Sequence, residues 1–192
     1  MKKVTYLFGM LAALLTLSSC NEGTDFDIDY TPIAPIGGQY DIIIYEGEDA
    51  SKSDAEFWAS VDVNDTSKVE QLCSYGDVYA YLSNTTDYDS DKAWLRIGGL
   101  SANKSFNINA KLSINMGDYT FTGVNVGNFA GNSAKSIGTV NVSGFCKHNG
   151  IKTEGSGTTT DYIEFIYSRS DYPGMHYKAV GFKYTGWPED EE

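Results

Sequence analysis

Only two histidines, His148 and His176, occur in the 192 residues, and the cysteines number three: Cys20, Cys73 and Cys146. No Cys-x-x-Cys pair and no His-Glu-x-x-His run is present, so the common zinc and dithiol frameworks have no ligand set to build on. The chain also lacks a Gly-x-Ser-x-Gly elbow and a Gly-rich run ending in Lys-Ser/Thr that could cradle a phosphate. A serine hydrolase would have to take His148 or His176 as its base and find a serine on a separate loop. The simpler reading makes His148 a loop residue and His176 a strand residue on a wet or cross-strand-paired face. No cofactor and no metal ligand set is indicated. Cations are scarce as well: 14 Lys and Arg stand against 26 Asp and Glu, a formal charge of −12. That sign disfavours a nucleic-acid partner and an electrostatic footing on anionic lipid. No apolar run approaches the ~20 residues that a membrane-spanning helix needs.

The longest apolar run lies at the start. Lys2 and Lys3 precede an apolar stretch from Val4 to Leu17, which is too short to span and reads as residues 1–19 of a secretory signal. It ends in Leu17-Ser18-Ser19-Cys20, which resembles the lipobox of bacterial lipoproteins. That resemblance implies acylation of Cys20 and cleavage just before it, with two or three chains giving a stable anchor. Losing Lys2 and Lys3 takes the formal charge from −12 to −14. Asn21 stands where an aspartate retains many Gram-negative lipoproteins in the inner membrane. The expected location is therefore the outer membrane, on its periplasmic or cell-surface face.

Residues 20–36, polar and carrying Pro32 and Pro35, read as a flexible tether, and 37–192 as a single domain. Within it β periodicity dominates. From Phe106 to Met116 apolar residues alternate with Asn107, Asn109, Lys111, Ser113 and Asn115, the pattern of a sheet with one dry face. Noisier strands are predicted at 38–45, 57–63, 78–83, 93–97, 118–126, 137–143, 162–168 and 175–184. Turn formers between them, such as His148-Asn-Gly150 and Gly155-Ser-Gly157, give an antiparallel meander. The one predicted helix is Asp65–Tyr75, with Asp65 as its cap. Nine or ten short strands form either a closed β-barrel or a two-sheet β-sandwich, and closure removes exposed edges.

Asp87-Tyr88-Asp89-Ser90-Asp91 has the alternating carboxylates of a calcium loop. Lys92 and Gly98 occupy the places of the required glycine and closing glutamate, so it reads as a solvated hairpin loop. Cys73 and Cys146 are either a disulfide, which an exported protein could form, or two buried thiols. Aromatics lie opposite the aliphatic face of several strands, as Tyr79 and Tyr81 do against Val78, Ala80 and Leu82. Such strands require cover on both faces, which a cavity lined by Trp58, Tyr81, Trp94, Phe165 and Phe182 would supply.

Tyr81-Leu-Ser-Asn-Thr85, Lys92-Ala-Trp-Leu-Arg96, Thr160-Asp-Tyr-Ile-Glu-Phe165 and above all the ending Thr185-Gly-Trp-Pro-Glu-Asp190 resemble the lipoprotein family described as lipid-binding putative hydrolases. The resemblance implies a lipocalin-like barrel holding an apolar ligand, and it transfers no catalytic residue. The sequence is thus read as an all-β, lipid-anchored envelope protein that binds a small apolar or amphipathic ligand without chemistry. A glycan-binding or scaffold component of a surface uptake system is the alternative, and a hydrolase the third.

Overall fold

The computed structural model describes residues 30–98, 104–132 and 134–190. The signal segment, Cys20 and tether residues 20–29 lie outside them. The elements are β1 (Gly38–Glu48), α1 (Asp54–Ser60), β2 (Glu70–Cys73), β3 (Tyr79–Asn84), β4 (Lys92–Ile97), β5 (Asn109–Asn115), β6 (Thr120–Gly127), β7 (Thr139–Lys152), β8 (Thr159–Arg169) and β9 (Met175–Lys183). Every strand pair is antiparallel, and β9 returns to β1 over nine residue pairs from Tyr40–Lys183 to Glu48–Met175. The result is a closed eight-stranded barrel, with β2 as an additional strand. β3 pairs with Gly38–Asp41 of β1 and β2 with Ile44–Glu46.

Alternation decides which face is dry. On β5, Ala110, Leu112 and Ile114 point inward while Lys111, Ser113 and Asn115 point out. One contiguous core fills the interior, from Tyr40, Ile42 and Ile44 through Leu95, Ile108 and Phe121 to Phe165, Tyr167 and Tyr177. Both barrel ends are stoppered. At the end where the chain enters, Ile33 and Ile36 are buried and the Tyr40 hydroxyl donates to the Ile36 carbonyl at 2.7 Å. At the opposite end, Phe106 and Ile108 fold in beneath Arg169, which is 4% exposed. One Arg169 nitrogen, Nη1, donates to the carbonyls of Lys104, Ser105 and Asn107 at 3.1, 2.8 and 2.8 Å.

Three local readings are corrected. The stretch 57–63 is not a strand, because Ser53 and Glu56 form a reciprocal capping box that starts α1 at Asp54. Asp65–Tyr75 is not a helix. The Asp65 carboxylate instead accepts from the Ser67 hydroxyl and backbone N–H at 2.6 and 3.2 Å, closing a turn, and Glu70–Cys73 pairs with β1. Finally, Ile33 and Ile36 assign residues 30–36 to the folded domain, since burying two isoleucines outweighs the freedom of a polar linker.

Candidate functional site

The five aromatics predicted to line one cavity do not meet. Phe165 points inward, packed edge-on against Phe121 and beside Tyr167, centroids 5.9 and 5.7 Å apart. Tyr81 and Trp94 lie on the outer face of β3 and β4, where the Arg96 guanidinium covers the Tyr81 ring at 4.5 Å and Phe129 meets Trp94 at 5.9 Å. Trp58 rides on α1 against Phe57, and Phe182 packs outside the barrel on Tyr75. Nor is there room inside for a ligand among the described residues. Tyr40, Ile42, Leu95, Ile108, Ile163, Tyr167, Tyr177 and Ala179 have no accessible surface at all, so no water-sized void reaches them. An eight-stranded barrel is only just wide enough to be filled by side chains, and here five rings fill it.

The sequence reading missed a cleft of about 550 Å³ on the outer wall, between α1 with its preceding turn and strands β6 to β8. Its origin is local. The β6–β7 register slips between Gly123 and Val126, and Asn125 takes a left-handed φ of 50°, its N–H donating to the Asn141 side chain at 2.9 Å. That bulge turns Val124 outward until it is 77% exposed. Val124, Ile166 and Met175 supply an apolar floor, and Ser53, Asn141 and Ser168 are polar groups at its margin. A second hollow of about 450 Å³ shares Ser143 and Ile166 with it and runs along the wall to Phe145. An apolar floor with a few convergent polar groups suits an amphipathic ligand.

One edge of the cleft carries a serine, an aspartate and a histidine. Ser168 Oγ donates to Asp54 Oδ2 at 2.8 Å, Asp54 Oδ1 meets His176 Nδ1 at 2.6 Å, and His176 Nε2 donates to the Asp49 carbonyl at 2.8 Å. His176 is buried and stacked on Phe57, 4.7 Å between centroids. Catalytic order requires the imidazole between hydroxyl and carboxylate. Here the carboxylate is central, and both ring nitrogens are committed to acceptors other than the hydroxyl. The cluster fastens α1 to β8 and β9. His148, by contrast, is a largely exposed partner of Asp161, 2.7 Å away at the entry end.

The cysteine alternatives resolve toward two separate thiols. Cys146 Sγ accepts from the Tyr40 hydroxyl at 3.7 Å, and Cys73 Sγ donates to the Ile42 carbonyl at 3.7 Å. Each already has a partner in a packed core. Burial pushes both thiols up to about 11, which keeps them protonated and poor nucleophiles. No group of three or more His, Cys, Asp or Glu side chains that could hold a metal occurs among the described residues.

A family model described as lipid-binding putative hydrolase matches residues 25–188. No curated protein matches the chain. One similar solved structure is that of a structural-genomics protein of unknown function from Bacteroides ovatus, with 14% sequence identity and a TM-score of 0.46. The alignment covers 79% of this chain and 42% of that one, so the chain spans less than half of its length.

Proposed function

This chain belongs to the lipid-binding putative hydrolase family, and we propose that it holds a small apolar or amphipathic, lipid-like ligand in the cleft beneath α1, without chemistry. In this reading Cys20 is acylated and anchors the domain at the outer membrane. The observation that carries the ligand site is the contrast between a barrel core packed tight among the described residues and an outer cleft of about 550 Å³ lined by Val124, Ile166 and Met175. Ten buried methylenes offer on the order of 8 kcal/mol before ordering costs, enough for micromolar binding.

Adjacent residues on β8 separate the two locations, because Phe165 faces the core and Ile166 faces the cleft. Ile166→Lys is expected to abolish binding of a fluorescent fatty-acid probe with little change in melting temperature. Phe165→Ala is expected to cost about 3–5 kcal/mol of stability while the folded fraction still binds. Probe binding that survives Ile166→Lys would remove the cleft from consideration.

A glycan-binding or scaffold role is the second reading, favoured by the outward placement of Tyr81 and Trp94. It requires oligosaccharide binding that Trp94→Ala eliminates.

A further inference from the structure

Six aromatics among the described residues are at least 37% exposed, and four of them gather at one end, with Tyr172 at the other end and Phe145 on the wall. Tyr30, Tyr88, Tyr184 and Trp187 are 72, 63, 43 and 53% exposed, and all four belong to the end at which the chain enters. Tyr30 precedes the stoppering turn, Tyr88 tips the β3–β4 loop, and Tyr184 and Trp187 follow β9. A fifth aromatic, Tyr119, occupies the β5–β6 turn at the same end. Tyr88 and Tyr119 hold left-handed φ angles of 53° and 57°, a conformation that bulky residues rarely adopt. Asparagine or glycine would serve such turns at lower cost; packing on the core holds the Tyr119 ring, whereas the Tyr88 ring is 63% exposed.

The loops around these aromatics are acidic. The five segments at the entry end, 30–37, 85–91, 116–119, 153–158 and 184–190, contain seven acidic residues and no lysine or arginine, with Lys92, Lys152 and Lys183 at the strand ends beside them. Two entry-end loops carry Asp87, Asp89, Asp91 and Asp118. A surface that is aromatic and on balance anionic gains little from anionic headgroups. It suits a zwitterionic interface, where tyrosine and tryptophan place an apolar ring among acyl carbonyls and keep the polar edge hydrated.

We propose that the entry end of the barrel rests on a zwitterionic bilayer surface through Tyr30, Tyr88, Tyr184 and Trp187. This builds on the reading of Cys20 as the lipid attachment. Tyr30 lies only ten positions after Cys20, so the barrel mouth stands at most about 35 Å from the anchor even with that segment fully extended. Docking this way leaves the opposite end, α1 and the upper part of the cleft facing water.

The test uses full-length protein made in its host, mixed with or reconstituted into phosphatidylcholine vesicles whose acyl chains carry bromine. Trp187's contribution is taken as the difference between the parent and Trp187→Phe, a substitution at a half-exposed site that leaves the core untouched. A reporter at the opposite end is supplied by Tyr172→Trp. Quenching of Trp187 several-fold stronger than that of the Tyr172→Trp reporter, and weaker when phosphatidylglycerol replaces part of the phosphatidylcholine, is the expected result. Equal quenching of the two positions, or none at Trp187, would overturn the docking face. If the host-made protein is recovered free of membrane, the anchor reading fails, and the same titration of free protein with vesicles still decides the docking face.

Discussion

Asp190 closes the barrel's entry end by gripping Ser156, 34 positions earlier in the chain: its carboxylate accepts from the Ser156 N–H at 2.7 Å and from Ser156 Oγ at 2.8 Å. Thr185 Oγ1 donates to the same carboxylate at 2.6 Å, and Gly155 sits so close to the Glu189 backbone that a Cβ would collide with it. The unusual Thr185-Gly-Trp-Pro-Glu-Asp190 ending is therefore a clasp over the β7–β8 loop.

That clasp predicts an acid-sensitive segment of stability. Burial acts to raise the Asp190 carboxyl, but the donors from Ser156 and Thr185 outweigh it and hold it at about 2, below its ordinary 3.8. A depressed carboxyl contributes fully above its ordinary value and loses that contribution as pH falls toward about 2. Melting temperatures of the parent and Asp190→Asn should differ at pH 6 and converge as the pH is lowered through this window. A constant difference across the window would show that the clasp acts through shape alone.

Arg169 predicts the largest single loss at the opposite end. Its side chain is 3% exposed, satisfies three carbonyls of segment 104–107 and pairs with Asp171 at 2.5 Å. Arg169→Met should cost about 3–5 kcal/mol in urea unfolding, because three carbonyls and a carboxylate lose their donors at once. Arg169→Lys should recover only part, since a single ammonium cannot reproduce the guanidinium fork. A loss under about 1 kcal/mol for the methionine variant would mean that water replaces the arginine.

The meander and most strands were legible because period-two alternation survives wherever one face is buried, as from Asn109 to Asn115, whereas alternation alone left barrel and sandwich open and only the family resemblance pointed to closure. What misled was symmetry in the pattern. Phe57, Trp58 and Ala59 fit a strand as readily as a helical turn, and only the reciprocal Ser53–Glu56 caps decide it. The inside and outside of strands apolar on both faces could not be told apart either, so Phe165 and Trp94 were grouped although they face opposite ways. The cleft was illegible because it depends on a bulge at Val124 and Asn125 and on where α1 lands. The Ser168–Asp54–His176 cluster joins positions 114 and 122 apart, beyond the reach of any local motif.

Cys73 and Cys146, as separate buried thiols, predict silence toward reagents. Ellman's reagent at pH 8 should label neither in the native protein and both in denaturant, and reductant should leave the melting temperature unchanged. Because burial holds both thiols near 11 against an ordinary 9, their contribution to stability is intact below pH 9 and declines as pH rises toward 11. The Cys73→Ala, Cys146→Ala variant should show a shallower decline over that range. A reductant-induced fall in melting temperature would instead establish a disulfide.

The cluster of Ser168, Asp54 and His176 gives the sharpest test between a fastening and a catalytic site. As a fastening, its centre is Asp54, which accepts from Ser168 and engages His176, while His176 Nε2 spans to the Asp49 carbonyl. Asp54→Ala should then lower stability by roughly 1–3 kcal/mol and speed amide exchange in 54–60, because the helix loses its polar tie to β8 and β9. Ser168→Ala removes one hydrogen bond and should cost only about 1 kcal/mol. Any slow hydrolysis of p-nitrophenyl esters by the parent should persist in Ser168→Ala, since no imidazole faces that hydroxyl and the Asp54 carboxylate is too weak a base to activate it alone. Loss of ester hydrolysis on Ser168→Ala, with the fold retained, would mean that the imidazole swings to the serine when substrate binds, and the cleft would then be an active site.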